Sequence, residues 1–131
     1  MKTNVYELAA RIVYPALRRS IVEYLWSLGL SNREIARLLG ITPSAVTRYI
    51  RRERGVLIDF TGLPWIKERI ARLANKILSG EVTVLEVEEE LTRLAARILA
   101  SKTICKYHLK IDPSIDPAKC NVCPRVFGSI T

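Results

Sequence analysis

From Val5 to Leu28, apolar side chains recur at intervals of three and four residues, the spacing that lines one face of an α-helix. Pro15 interrupts this run; a proline lacks the backbone donor and crowds the preceding turn. The pattern therefore predicts a short helix before Pro15 and a second helix starting near it, with the proline in its first turn. Ala16, Leu17, Ile21, Leu25 and Leu28 form the core-facing stripe of that second helix, and Gly29 ends it. Two short helices around Gly40 follow between Ser31 and Arg54. Val56 to Leu63 is β-branched, apolar and bounded by glycines, which reads as an extended connector or a short strand. Pro64 opens a further helix with Ile66, Ile70, Leu73 and Ile77 on one face, stopped by Ser79-Gly80. Thr83 and Glu86 are spaced as a capping box for the next helix. That helix carries Val84, Val87, Leu91, Leu94 and Ile98 at alternating three- and four-residue intervals, the pattern of a coiled-coil seam. The stripe predicts a dimer contact, with packing in the same chain against Ile66, Ile70, Leu73 and Ile77 as the alternative. Glu86, Glu88, Glu89 and Glu90 crowd its first turns, where the helix dipole favours negative charge. Beyond Lys102 the periodicity fades. Asp112-Pro113 and Asp116-Pro117 mark turns, and the tail reads as irregular and in need of something besides a core.

The segment from Ser31 to Arg52 has a role for nearly every position. Ser31 caps a helix and Glu34 completes its capping box. Ile35 and Leu39 face the core, and Ala36 sits where two helices approach most closely. Gly40 occupies a turn that needs positive φ. Ile41 packs beneath that turn, Thr42 caps the second helix and Pro43 takes its first position. Val46 and Ile50 then point inward, leaving Ser44, Thr47, Arg48 and Arg51 outward. This is the pattern of a helix-turn-helix whose second helix, about residues 43–52, lies in the DNA major groove. Arginine can bond guanine O6 and N7 together, and serine and threonine are tolerant partners. Thr42, Ser44, Thr47, Arg48 and Arg51 are the candidate contacts, with Arg52 and Arg54 meeting phosphate. Arg33 and Arg37 read either as phosphate contacts or as solvated charges.

The charge supports this placement. The chain of 131 residues carries a net charge of +8. Residues 1–55 hold ten Lys and Arg against four Asp and Glu, whereas 56–131 hold eleven against nine, so the polyanion-facing part is the first half. No apolar stretch is long enough for a membrane span, and Met1 to Val5 does not read as a secretory signal, which gives a cytoplasmic expectation. No nucleophile motif, phosphate loop or paired carboxylates can be read, so neither an enzyme nor a small-molecule substrate is expected.

The run Tyr14-Pro15-Ala16-Leu17-Arg18, followed by Gly29-Leu30-Ser31, Ile35 to Thr42 and Ala45 to Ile50, resembles a group of archaeal helix-turn-helix transcriptional regulators. Some members of that group fuse this domain to a thiamine-phosphate synthase-like domain. The resemblance covers about residues 5–55 and implies a dimeric DNA-binding regulator; the chain has no room for the fused domain, so a role tied to it does not carry over.

All three cysteines and the one histidine lie in the tail, as Cys105-x2-His108 and Cys120-x2-Cys123. Two residues between ligands let both converge on one ion, and four such ligands make a Cys3His set typical of structural zinc. Metal binding would supply folding energy to a tail without a core. Zinc is the preferred reading, at one site per chain. An iron–sulfur cluster is the alternative, since Cys123-Pro124 resembles ferredoxin-like ligand strings. Unmetallated thiols are the remaining reading. Tyr107 reads as packing.

The expected fold class is therefore all-α: a helix-turn-helix DNA-binding domain over 1–55, a helical hairpin dimerisation region over 56–102 and a short metal-binding tail over 103–131. The expected function is sequence-specific regulation by a homodimer on double-stranded DNA, with a metal or redox-sensing tail. A metal-stabilised adaptor of the transcription or recombination machinery is the second reading, and a resolvase-like fragment of a DNA-processing enzyme the third.

Overall fold

In the computed structural model, which describes residues 1–60 and 62–130, helices carry the chain and no strand occurs among the described residues. The Asn4 side chain accepts the Glu7 N–H and starts α1, Val5–Leu8. A π-helical turn, Ala9–Val13, continues it into α2, Tyr14–Ser27. The Tyr14 N–H bonds the carbonyl of Ala9, five residues back. The backbone stays right-handed helical through both junctions. The expected break at Pro15 is thus absorbed: the wide turn just ahead of the proline accommodates its ring and missing donor, so the two expected helices run as one rod.

The rod ends as the glycine predicts. Gly29 has φ 93°, its N–H bonds the Trp26 carbonyl, and the Leu30 N–H reaches back to Leu25, a Schellman closure. Ala16, Leu17, Ile21 and Leu25 are fully buried, as expected, but Leu28 is 49% exposed because it sits in the closing turn rather than on the stripe.

Three further caps behave as their sequences indicate. Ser31 and Glu34 form a capping box on α3, Asn32–Leu39. The Thr42 side chain accepts the Ala45 N–H and starts α4, Pro43–Ile50. Thr83 and Glu86 form a second capping box on α6, Val84–Ala100, which follows α5, Pro64–Leu78. Residues 56–60 form a connector that is neither helix nor strand, with Ile58 and Phe60 buried and Val56 and Leu57 exposed. Thr61, part of the segment read as connector or strand, lies outside the described residues.

The core answers what the α6 stripe does. Val87, Leu91, Leu94 and Ile98 are buried within this chain, where α6 packs against α2, the π turn and α8, Val122–Phe127, as well as α5. Val84, at the start of the stripe, is 38% exposed. The stripe is therefore spent on the chain's own core and is not available as an intermolecular seam. Its partners are mainly α2 and α8 rather than the α5 face alone. One apolar cluster runs from Val5 to Phe127.

That cluster also corrects the reading of the tail as coreless. The tail folds into α7, Cys105–Ile111, and α8, and buries Ile104, Ile115, Cys123 and Phe127. The Phe127 ring meets Tyr6 of α1 edge-on at 6.1 Å. Asp112, expected only to make a turn, accepts the N–H groups of Lys2 and Thr3 at 2.6 and 2.8 Å and so ties the N-terminus to the tail. Hydrogen bonds from the Ser114 hydroxyl, then from the Thr3 N–H, hold its carboxyl well below the usual carboxylate range. No helix among the described residues is long and apolar enough to cross a membrane.

Candidate nucleic-acid interface

The interface is built from α2, α3 and α4, which pack on one another. Ile35, Ala36, Leu39 and Val46 close its small core. Gly40 turns the chain between α3 and α4 with φ 68°, and the N–H of Ile41 reaches the Ala36 carbonyl at 3.0 Å. Ser31's backbone N–H group, followed by its hydroxyl contact, holds the Glu34 carboxyl below its ordinary value, as expected for the acidic member of a capping box.

Ser44 and Arg48 on α4 and Arg51 at its C-cap are exposed and share one face by their spacing. Thr42 is exposed at the helix start, with its hydroxyl committed to the cap. Thr47 is half-buried. Its hydroxyl donates to the Pro43 carbonyl and accepts from Asn32 Nδ2, both at 3.1 Å. Asn32 opens α3, so this pair ties the two helices at their exposed edge; no local pattern in the sequence marks Asn32 for this role. The inward face also differs from expectation. Val46 and Tyr49 are buried, whereas Ile50 is only half-buried. Residue 49 lies three positions past Val46, on the same face.

The C-terminal end of α4 closes at Ile50, two residues earlier than the expected 43–52. Arg52 sits in the left-handed region with φ 59°, and Glu53 N–H bonds the Arg48 carbonyl at 2.9 Å. Arg52 Nε lies 3.7 Å from Glu23 of α2, so its charge is partly compensated. Arg33, Arg37, Arg48, Arg51 and Arg54 are exposed and have no ion-pair partner among the described residues.

The exit from α4 is pinned by Arg19, which is 5% exposed. Its Nε donates to the Gly55 carbonyl at 2.8 Å, its Nη2 to the Ile58 carbonyl at 3.2 Å, and its Nη1 to Glu23 at 3.1 Å. Gly55 has φ 71°, and a Cβ there would stand 2.3 Å from the Pro15 carbonyl oxygen. The connector thus lies flat on α2. Nothing local distinguished Arg19 from a surface arginine, since its acceptors lie 36 and 39 residues away.

A polar cluster fixes α2 against α6. Tyr14 Oη donates to Glu88, and Arg18 donates to the other Glu88 oxygen at 2.8 Å while stacking over the Tyr14 ring at 5.1 Å. Burial, then the hydrogen bond to Glu88, pushes the Tyr14 phenol above the ordinary tyrosine range.

In the tail, Cys105, His108, Cys120 and Cys123 all line one cavity of about 10 Å³. All three cysteines are free. His108 is buried, and its Nε2–H donates to the Thr3 carbonyl at 2.7 Å. Burial, then the neighbouring Cys105 and Cys120, pushes the Cys123 thiol up to about 11. Among the described residues, no three His, Cys, Asp or Glu side chains stand at the spacing that holds a metal ion. Tyr107 is half-buried, with the ammonium groups of Lys106 and Lys110 at 5.2 and 5.6 Å from its ring.

Residues 17–55, the span from α2 through the connector's start, match a family described as a helix-turn-helix domain. No curated protein and no solved structure matches the chain. The matched span coincides with the three-helix unit that carries the exposed arginines, and a domain of that description points to DNA binding.

Proposed function

We propose that the protein is a sequence-specific DNA-binding regulator whose α4 enters the major groove. The observation that carries this reading is the exposed face of Ser44, Arg48 and Arg51, on a helix capped at its start and tied to its neighbours. Arg48 and Arg51 have no ion-pair partner among the described residues, so base edges would compete with water alone for them. Thr47 has its hydroxyl engaged within the protein, which leaves its methyl for a thymine methyl. Thr42 at the start of α4, and Arg52 and Arg54 beyond its end, flank the reading face and would meet phosphate. Arg52 would first exchange its contact with Glu23.

The reading extends to two copies on an inverted repeat, with half-sites about 10–10.5 base pairs apart centre to centre. The pairing surface is not the α6 stripe, which is buried in the chain itself. Selection of bound duplexes from a randomised pool tests both parts. An enriched inverted repeat with that spacing is expected. Enrichment of a single unpaired half-site would overturn the paired reading. Recovery of the input pool, with weak and sequence-independent binding, would overturn sequence-specific regulation and favour an adaptor role.

A further inference from the structure

We propose that Cys105, His108, Cys120 and Cys123 close around a single zinc ion that clamps the tail to the N-terminal segment. Two short modules bring the ligands together. Cys105 and His108 are three residues apart on the first turn of α7, which puts them on one face. Cys120 and Cys123 span the start of α8 at the same interval. All four border the same cavity, although Cys105 and Cys120 are 15 positions apart in the chain.

The size of that space suits a single ion. A cavity of about 10 Å³ is about what a single water-sized particle occupies. Three thiolates and an imidazole are the donor set that zinc takes in closed tetrahedral sites. The histidine has one ring nitrogen free of the hydrogen bond it makes. Its Nε2–H is committed to the Thr3 carbonyl, so Nδ1 is the nitrogen left for an ion. A backbone carbonyl, like a carboxylate or a water, is a usual outer partner on the far ring nitrogen of a metal-bound histidine. Three thiolates around a divalent cation leave one net negative charge. Lys102 borders the same cavity, its ammonium bonded to the Pro117 carbonyl at 2.7 Å, and offsets that charge. The four side chains do not stand at ligand spacing as they are, so binding would have to draw them together.

The ion would then join α7, α8 and, through His108, the chain at Thr3, alongside the Asp112 contacts to Lys2 and Thr3. The site lies apart from the exposed face of α4, and its existence does not depend on the DNA-binding reading.

Elemental analysis and native mass spectrometry of the full chain, purified without oxygen, provide the test. One zinc per chain is expected. Cys120→Ser is the main variant because Cys120 is only half-buried and its loss leaves the core intact. With helicity unchanged by circular dichroism, it should weaken zinc binding by at least about a hundredfold, more than the loss of an outer-shell partner. Stoichiometric iron and sulfide would overturn the single-ion assignment. Zinc retained at wild-type affinity by folded Cys120→Ser would overturn the ligand set. A metal-free chain whose thiols react with a disulfide reagent equally fast with and without added zinc would overturn the site.

Discussion

Gly40→Ala probes the turn that joins α3 to α4 and rests against Val84 of α6. The backbone there has φ 68°, a conformation costing an L-residue roughly 1–2 kcal/mol. The added Cβ would also stand 2.5 Å from Val84 Cγ1. Valine side chains in helices have one strongly preferred rotamer, so Val84 does not simply swing away; overpacking of this kind costs about 1–3 kcal/mol. The two terms sum to about 2–5 kcal/mol, or roughly 8–20 °C in Tm at about 4 °C per kcal/mol for a chain of this size. They separate in a double-mutant cycle. With Val84→Ala the clash disappears and only the backbone term of about 1–2 kcal/mol is left, so the coupling should be about 1–3 kcal/mol. Urea titrations of the four proteins measure it. An equal cost of Gly40→Ala in both backgrounds would refute the contact between the turn and α6. A cost below about 0.5 kcal/mol would refute the left-handed turn itself.

Arg19→Met removes three hydrogen-bonding nitrogens from the Gly55 and Ile58 carbonyls and from Glu23. It should cost about 2–4 kcal/mol and speed tryptic cleavage after Arg51, Arg52 and Arg54; unchanged cleavage would show that Arg19 does not pin the connector. Tyr14 has a folded-state pKa raised by burial and by Glu88, so its contribution to stability is full below the unfolded value of about 10 and is lost as pH rises beyond it. Tyr14→Phe should therefore flatten the loss of stability measured between about pH 9 and 11, and an unaltered slope would contradict the buried phenol. Ser31→Ala removes the side-chain acceptor for the Glu34 N–H and should cost about 1 kcal/mol by thermal melting, whereas Ser31→Asp should retain most of the stability.

The parts that were legible in the sequence are those decided within a few residues. Ser31 with Glu34, Thr83 with Glu86, Thr42 before Pro43, and the glycines at 29 and 40 are local devices, and the structure uses them as caps and left-handed turns. The apolar stripes were also legible as faces. What covers a face was not: periodicity marked Val87, Leu91, Leu94 and Ile98 as buried, but an intermolecular seam and an intramolecular core have the same spacing over so short a run. Pro15 signalled a break because the compensating π turn leaves no composition cue. Tyr49 and Ile50 are both apolar neighbours at the end of a short helix, and the choice between them depends on where α2 lies. Arg19, Asp112 and His108 were hidden for a common reason. Their partners are backbone groups 36 to 110 residues away, and no residue type advertises a carbonyl or an N–H.

The central claim is that Arg48 on α4 and Arg51 at its C-cap read base edges while Arg54 meets phosphate. Fluorescence anisotropy on the selected duplex and on a scrambled duplex, across a salt series, tests it most directly. Arg48→Ala and Arg51→Ala should each weaken binding to the selected duplex by about tenfold to a hundredfold and leave the scrambled duplex little changed. Arg54→Ala should weaken both alike and lower the salt slope by about 1. If Arg48→Ala and Arg51→Ala keep the wild-type ratio of selected to scrambled affinity, α4 is not the reading helix.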